Sequence, residues 1–237
     1  MARPSRANWL AVGGSWRGPA PEPILGVCVT VCAVLVLQLL VQPSMHSLAH
    51  WSKLALEVLV VAGLLITYGT GDHVRNWHQH TYSKPVWRAT TVVIILASAT
   101  NAGSGLLLVQ EILGDSASFD TFDLLLSAGT IYVTNIVVFG LWYWHCDRGG
   151  QGRRAEGTGR QPPDFIFPQM TDPELADPRW RPRFVDYLYV SFTNAASFGP
   201  TDAMPSARWA KLAMMGQAML ALTLITLVVS RLVGLLS

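Results

Sequence analysis

The chain has 237 residues, of which 51% are hydrophobic and only 14% are charged, and its formal net charge is +2. A typical soluble domain carries about 25% charged residues, so this composition indicates a membrane protein. The small net charge gives no reason to expect a nucleic-acid partner. Three cysteines are too few for a disulfide framework.

Five apolar segments are long enough, or nearly so, to cross a bilayer core, which needs about 20 helical residues. Because lipid offers the backbone no hydrogen-bond partner, we expect helices and not an open sheet. The first is expected to be a retained span, since no small-x-small cleavage site follows it. The predicted fold class is therefore an all-α, polytopic membrane protein with five spans: Ile24–Val41, Leu54–Tyr68, Ala89–Leu113, Phe122–His145 and Trp209–Leu236.

These spans divide the chain into four regions. Residues 1–23 form an N-terminal tail, residues 24–145 a four-helix transmembrane region, residues 146–183 a loop, and residues 184–237 a last helical module. The loop is rich in Gly, Pro and charge, which predicts irregular structure. Its stretch "PPDFIFP" places apolar residues among prolines, so we expect this stretch to pack on the protein surface.

Polar residues inside the spans need a physical reason, because lipid solvates them poorly. Three stand out: Glu57, Asn101 and Asn135. The two amides can bond across helix interfaces, at about 0.6–2 kcal/mol each, or they can line a transport path. Glu57 can reach a membrane interface or pair inside the bundle, and the sequence favours neither over the other.

No feature of the sequence predicts an enzyme. The hydrolase, metalloprotease and nucleotide-binding signatures are absent. The histidines of "GDHVRNWHQH" match no standard zinc spacing, and no cysteine accompanies them. The sequence therefore predicts no catalytic residue, no metal site and no cofactor.

The segment from Phe184 to Lys211 has an unusual layout. A stretch of about 13 aromatic and small apolar residues, "FVDYLYVSFTNAA", is too short to span a bilayer core. The next stretch, "SFGPTDAMP", breaks a helix at Gly199 and Pro200, and a full span begins at Trp209. This order predicts a re-entrant half-helix, an irregular turn that lines a cavity, and a spanning helix.

This region resembles the two-helix pore module of potassium channels, which has an aromatic-rich pore helix, the filter T-V-G-Y-G-D and an inner helix. Asp202 and Pro205 keep the Asp-x-x-Pro spacing of that family, and Trp209 with Lys211 keeps the opening of the inner helix. The resemblance implies a pore module, a homotetramer and inorganic cations as ligands. It places the five filter positions on Ser197, Phe198, Gly199, Pro200 and Thr201.

The filter chemistry departs from that family. Pro200 fixes φ near −65°, and the β-branched Thr201 disfavours the positive φ that a ladder of carbonyl groups needs. We therefore expect a weakly selective or non-potassium path, lined partly by the side chains of Asn194, Ser197, Thr201 and Asp202. Alternatively, Asp202 caps backbone N–H groups or bonds Trp209.

The last span offers a second set of candidates. At 100° per residue, four of its side chains lie within about 60° of one another: Met219, Thr223, Thr226 and Ser230. Such a stripe can line a water-filled cavity, or its hydroxyl groups can bond back to their own helix.

The chain is also similar to a group of bacterial five-span membrane proteins that has no established activity. The residues that carry this similarity are "TNIVVFGLWYWHCDRGG", "PDFIFPQM", "WRPRFVDYLYVSFTNA", "PTDAMP" and "RWAKLAMM". The similarity implies a multi-pass protein of the bacterial inner membrane, with the lipid bilayer as its partner.

Two arguments about orientation disagree. If the N-terminus lies inside, 15 of the 17 Lys and Arg residues lie in inner segments, as the positive-inside rule favours. A potassium-channel pore loop enters from the outside, which requires the opposite orientation. An inverted pore, as in ionotropic glutamate receptors, satisfies both arguments. The sequence thus predicts an ion-channel-like membrane protein; a non-conducting scaffold that reuses the pore fold is the second hypothesis, and a small-solute carrier the third.

Overall fold

The computed structural model describes residues 84–113, 121–150, 162–171, 180–197 and 202–236, together with Thr30, Cys32 and Val36. Within these residues the chain is mostly helical, at 85%. The elements are, in chain order, α1 (Lys84–Leu113), α2 (Thr121–Cys146), a 3-10 turn (Asp147–Gly149), β1 (Phe165–Ile166), α3 (Pro168–Thr171), α4 (Phe184–Ser197), β2 (Met204–Pro205) and α5 (Arg208–Leu236).

Three helices in the described ranges are long and apolar enough to cross a membrane. Their candidate spans are Thr90–Gln110 in α1, Phe122–Gly149 in α2 and Arg208–Gly234 in α5. The prediction of long apolar helices, able to cross a membrane, is therefore confirmed in these three parts of the chain. The two earlier predicted spans lie outside the described residues, apart from the three isolated positions given above, and so does Glu57.

Helix α2 is the centre of the described bundle, because α1, α4 and α5 all pack on it. Inside the bundle, 61% of its most apolar window is buried, against 17% for α1 and 22% for α5. The outer two helices thus keep wide apolar faces exposed, as membrane helices do when lipid covers them.

Helices α1 and α2 are antiparallel, and two polar contacts mark their alignment near one end. The hydroxyl of Thr91 lies 2.9 Å from Nε2 of His145, and the indole N–H of Trp142 donates to the Ser98 hydroxyl at 2.8 Å. Towards the other end, a Cβ added at Gly105 would lie 4.0 Å from a methyl group of Ile131. The alignment that these contacts define places Asn101 and Asn135 at the same level of the pair.

The short helix α4 packs between α2 and α5. It has 14 residues, which is about 21 Å at about 1.5 Å per residue and therefore less than a bilayer core. One face is buried and includes Tyr187, Ser191 and Asn194, whereas Tyr189 and Phe192 are exposed on the opposite face. The sequence pattern follows this split, since the buried positions recur every three or four residues.

Residues 162–171, which we call the strap, cross the end of the bundle. Strand β1 of the strap pairs antiparallel with β2, so that Phe165 lies opposite Pro205 and Ile166 opposite Met204. The ring of Phe165 is fully buried and lies between the rings of Tyr143, Tyr187 and Trp209. The expectation that "PPDFIFP" packs on the protein is thus confirmed. Its aromatic rings supply the contact.

Candidate functional site

A cluster of four polar side chains connects α4 to its two neighbours, α2 and α5. Gln217 of α5 is fully buried, and its Oε1 accepts hydrogen bonds from the Tyr143 hydroxyl at 2.7 Å and from Nδ2 of Asn194 at 2.9 Å. Its Nε2 donates to the carbonyl of Ser191 at 3.0 Å and to the hydroxyl of Ser191 at 2.7 Å. All four hydrogen bonds of the Gln217 amide are therefore made inside the protein.

The cluster is anchored to two helix backbones. The Ser191 hydroxyl donates to the carbonyl of Ile136 in α2 at 2.6 Å, and Nδ2 of Asn194 donates to the carbonyl of Met214 in α5 at 2.9 Å. A buried network whose members are satisfied specifies one arrangement of the helices, because every alternative leaves a polar group without a partner in an apolar medium. The cluster thus fixes both the depth and the rotation of α4.

Gln217 did not stand out from the sequence. The only signal is a single amide in the apolar run "AMMGQAMLAL", and an isolated polar residue in such a run is expected to have a partner. Nothing in the sequence identifies that partner, since Ser191 lies 26 positions away and Tyr143 lies 74 positions away.

The predicted filter-like residues do not all face the turn. Asn194 is buried, and its amide N–H groups are used by Gln217 and Met214. Ser197 is exposed at the last position of α4. The remaining filter positions, which are Phe198, Gly199, Pro200 and Thr201, lie outside the described residues.

Asp202 and Pro205 follow directly after the turn. Asp202 is exposed, and its carboxylate accepts a long hydrogen bond of 3.5 Å from the hydroxyl of Tyr189 in α4. Pro205 belongs to β2 and pairs with the strap. Trp209, which the sequence offers as an alternative partner of Asp202, lies close enough to the side chain of Asp164 to donate a hydrogen bond to it.

The four candidate cavity-lining residues of α5 all lie on its exposed side. Met219 is 68% exposed, and Thr223, Thr226 and Ser230 are also exposed. The Thr223 hydroxyl donates to the carbonyl of Met219 at 2.9 Å, so at this position the hydroxyl bonds its own helix. The stripe therefore lies on the side of α5 that is not packed on α2 and α4.

The two intramembrane asparagines are both buried. Asn101 is 9% exposed and Asn135 is 2% exposed. Among the residues that the structure describes, Nδ2 of Asn135 has no hydrogen-bond partner. Since a buried amide N–H without a partner is costly, Asn135 is an unfavourable polar group inside the described bundle.

A second polar cluster lies where α2 ends. The carboxylate of Asp147 is fully buried and accepts hydrogen bonds from the Tyr187 hydroxyl at 2.6 Å, from the Asp164 backbone N–H at 2.9 Å and from the Phe165 backbone N–H at 3.4 Å. In return, the Asp164 carboxylate accepts a bond from the Arg148 backbone N–H at 2.8 Å. Two carboxylates thus tie the strap to α2 and α4.

Burial raises the pKa of the Asp164 carboxyl above its usual value, and the neighbouring charge of Asp147 raises it further. The bonds from the Arg148 backbone and the Trp209 ring act in the opposite direction without cancelling the rise. On α4, burial also raises the pKa of Asp186, against the bond from the Arg183 backbone N–H, which is 2.6 Å long.

The chain turns sharply after α2 to reach the strap. Arg148, Gly149 and Gly150 all have positive φ, at 52°, 75° and 100°. A side chain at Gly150 would come within 3.0 Å of the Trp87 ring nitrogen and of the His145 carbonyl. Glycine suits this position because it adopts positive φ without cost and leaves room for the indole.

The two ends of the described bundle differ in charge. Helix α1 begins, α2 ends, and α4 and α5 begin at one end, which we call the strap end. Only Arg231 lies towards the opposite end among the basic residues that the structure describes. The basic positions near the strap end are Lys84, Arg88, Arg148, Arg181, Arg183, Arg208 and Lys211.

The fold and these clusters define a helical, membrane-embedded class of protein with a short helix wedged between two longer ones. No protein-family model matches the chain, and no curated protein and no solved structure matches it either.

Proposed function

We propose that this chain is a multi-pass protein of the bacterial inner membrane with an ion-channel-like pore module. In this proposal α4 is a re-entrant half-helix, residues 198–202 form the constriction, and α5 is the inner helix. The ions are inorganic cations, passed with weak or non-potassium selectivity, because Pro200 and Thr201 do not suit a ladder of carbonyl groups.

The observation that carries this proposal is where α4 begins and where the chain goes after it. Near the start of α4, Tyr187 bonds Asp147 at the strap end. One turn later Ser191 bonds Ile136, which precedes Asp147 by 11 residues and so lies about 16 Å deeper along α2. After the turn, the backbone N–H of Ser206 bonds the Asp164 carbonyl at 2.8 Å, again at the strap end. Both flanks of the turn thus lie at one end of the bundle, as a pore loop requires, and this supports the proposal.

Two features, one beside the turn and one on α5, support a cation path. Asp202 is exposed beside the turn, and within the described ranges its carboxylate accepts the long hydrogen bond from the Tyr189 hydroxyl. In a homotetramer, four such carboxylates would form a ring that attracts cations. The exposed stripe of α5 that begins at Met219 would then face the shared axis, because the opposite side of α5 is used by α2 and α4.

A non-conducting scaffold is the second candidate function, and specific contacts favour it. Asn194 donates from its amide to groups of α5, and the Thr223 hydroxyl bonds its own helix. Both contacts use polar groups for packing. A small-solute carrier is the third candidate, and it is favoured by Nδ2 of the buried Asn135, which has no hydrogen-bond partner among the residues that the structure describes.

Current recordings from the purified protein in planar bilayers test the proposal. We expect single-channel currents that favour cations over anions, and a loss of that preference in Asp202→Asn, which removes the charge and keeps the size of the side chain. Asp186→Asn is the matched control, because it removes a carboxylate near the start of α4 and leaves the turn unchanged. Absence of current from a well-folded tetramer favours the scaffold, and an oligomer other than a tetramer contradicts the pore.

A further inference from the structure

The strap end holds two carboxyl groups in one hydrogen-bonded unit. The backbone N–H of Asp164 donates to the carboxylate of Asp147, while the Asp164 carboxylate accepts from the residue after Asp147, namely Arg148. The Asp147 carboxylate therefore holds the backbone at Asp164, and the Asp164 carboxylate holds the backbone next to Asp147. Asp147 is fully buried and Asp164 is half-buried, so water screens their mutual repulsion poorly.

The same unit reaches the segment that leaves the turn. The Asp164 carbonyl accepts bonds from the backbone N–H groups of Ser206 and Ala207 at 2.8 and 3.5 Å. The Ser206 hydroxyl bonds the carbonyl of Pro163, and the Asp164 side chain bonds the Trp209 ring at the start of α5. The strap therefore holds residues 204–209, which begin three positions after Thr201.

We propose that Asp147 and Asp164 form a proton-operated latch: when the Asp164 carboxyl group takes up a proton from water, the strap is held more tightly on the bundle, and when it releases the proton, the strap loosens. The latch regulates the turn, because the strap fixes the segment through which the turn joins α5. This consequence for the turn rests on the proposed function, whereas the latch itself is a property of the strap.

The charges around Asp164 determine which group takes the proton. Asp147 accepts three hydrogen bonds, from the Tyr187 hydroxyl and from the backbone N–H groups of Asp164 and Phe165. Among the described residues, the charged groups that act on Asp164 are Asp147, which disfavours a second negative charge, and Arg148, which favours it; α5 contributes the neutral Trp209 ring. From α4, the neutral Tyr187 hydroxyl bonds Asp147. Two close carboxyl groups in a poorly solvated site share one negative charge more readily than they hold two.

The direction of the effect follows from linkage. The pKa of Asp164 is raised in the docked strap, so the docked form binds the proton more tightly than the undocked form. The extra stability of docking is complete below the ordinary carboxyl value of 3.8 and is lost as the pH rises through the raised value. Acid therefore tightens the strap.

Hydrogen exchange of the full chain in lipid nanodiscs tests the latch without any current measurement. The reporters are the backbone N–H groups of Asp164, Phe165 and Ser206, each of which makes a bond within the latch. After correction for the pH dependence of intrinsic exchange, we expect their protection to fall as the pH rises from about 4 to 7. The fall should be about tenfold for each unit by which docking raises the pKa of Asp164.

Asp164→Asn and Asp186→Asn separate the latch from a general effect of pH. Asp164→Asn keeps an acceptor for the Arg148 N–H but cannot ionise, so its strap should be as protected at pH 7 as the strap of the original chain is at pH 4. Asp186→Asn removes a different half-buried carboxyl group on α4 and should leave the pH dependence of the protection of the strap unchanged, although it changes the pH dependence of global unfolding. Protection that is independent of pH in the original chain overturns the latch, and so does an unchanged pH dependence in Asp164→Asn. Absence of ionic current overturns the pore and leaves this result standing.

Discussion

Gln217 of α5 and Ser191 of α4 are joined by two hydrogen bonds, from one amide nitrogen to both the carbonyl and the hydroxyl of the serine, at 3.0 and 2.7 Å. The serine hydroxyl in turn donates to the backbone of α2. Because this contact connects three helices at one level, it determines how deep α4 sits. Whether α4 can serve as a pore helix depends on that depth more than on any residue of the turn.

Gln217→Leu should destabilise the bundle strongly. The substitution removes partners from the buried Tyr143 hydroxyl and from the Asn194 amide, and each buried polar group left without a partner costs about 1–3 kcal/mol. Met215→Leu is the control, because Met215 lies two positions away on the exposed side of α5. Thermal unfolding in detergent should show a large drop in Tm for the first variant and almost none for the second. Equal midpoints would show that the cluster does not hold α4.

Gly140→Ala should separate α2 from α4. A Cβ at this position would lie 3.2 Å from the Cα of Leu188 and 3.3 Å from a Leu188 methyl group, which is closer than most carbon contacts. Overpacking of this kind typically costs about 1–3 kcal/mol. In Gly129→Ala, on the same helix, the added Cβ meets no atom within 4 Å, and alanine favours helix by about 1 kcal/mol. Unfolding by denaturant should therefore rank Gly140→Ala below the original chain and Gly129→Ala level with it or above.

Asp147→Asn should release the strap. The carboxylate accepts from Tyr187, Asp164 and Phe165, whereas an asparagine offers one acceptor oxygen and turns an N–H₂ group towards the remaining donors. Limited proteolysis should cut the strap faster in this variant. Asp123→Asn, at the other end of α2, is the control and should be cut at the original rate. Unchanged cutting in Asp147→Asn would mean that the aromatic contacts of Phe165 suffice.

The stability of the protein should depend on pH through Asp186. Burial raises its pKa in the folded protein, so folding favours the protonated form. The resulting stability is complete below pH 3.8 and is lost as the pH rises through the raised pKa. Asp186→Asn keeps an acceptor for the Arg183 N–H but cannot ionise. It should therefore reduce the pH dependence of the free energy of unfolding above pH 3.8. If this variant kept the full pH dependence, groups other than Asp186 would be its source.

Hydropathy was enough to predict the three spanning helices, because long apolar runs leave a chain few alternatives in lipid. The strap was harder to foresee: β1 and β2 have two residues each, and their pairing joins positions about 40 apart in the sequence. The sequence places Asn194 at the turn because of its position near the end of α4. Its hydrogen bonds, however, depend on how α4 is rotated about its own axis, towards Gln217. Contacts of this kind depend on tertiary packing, which periodicity alone does not specify.

The proposed re-entrant path of α4 is tested most directly by the side of the membrane from which its two flanks can be labelled. Single cysteines at Arg183, before α4, and at Arg208, after the turn, would be placed in a chain whose native cysteines are replaced, with Phe122 at the opposite end as the reference; all three positions are exposed. An impermeant thiol reagent should label the first two from the same side and the third from the other. Since basic residues concentrate near the strap end, that shared side should be the cytoplasm. Labelling of positions 183 and 208 from opposite sides would contradict the re-entrant half-helix and the pore module built on it.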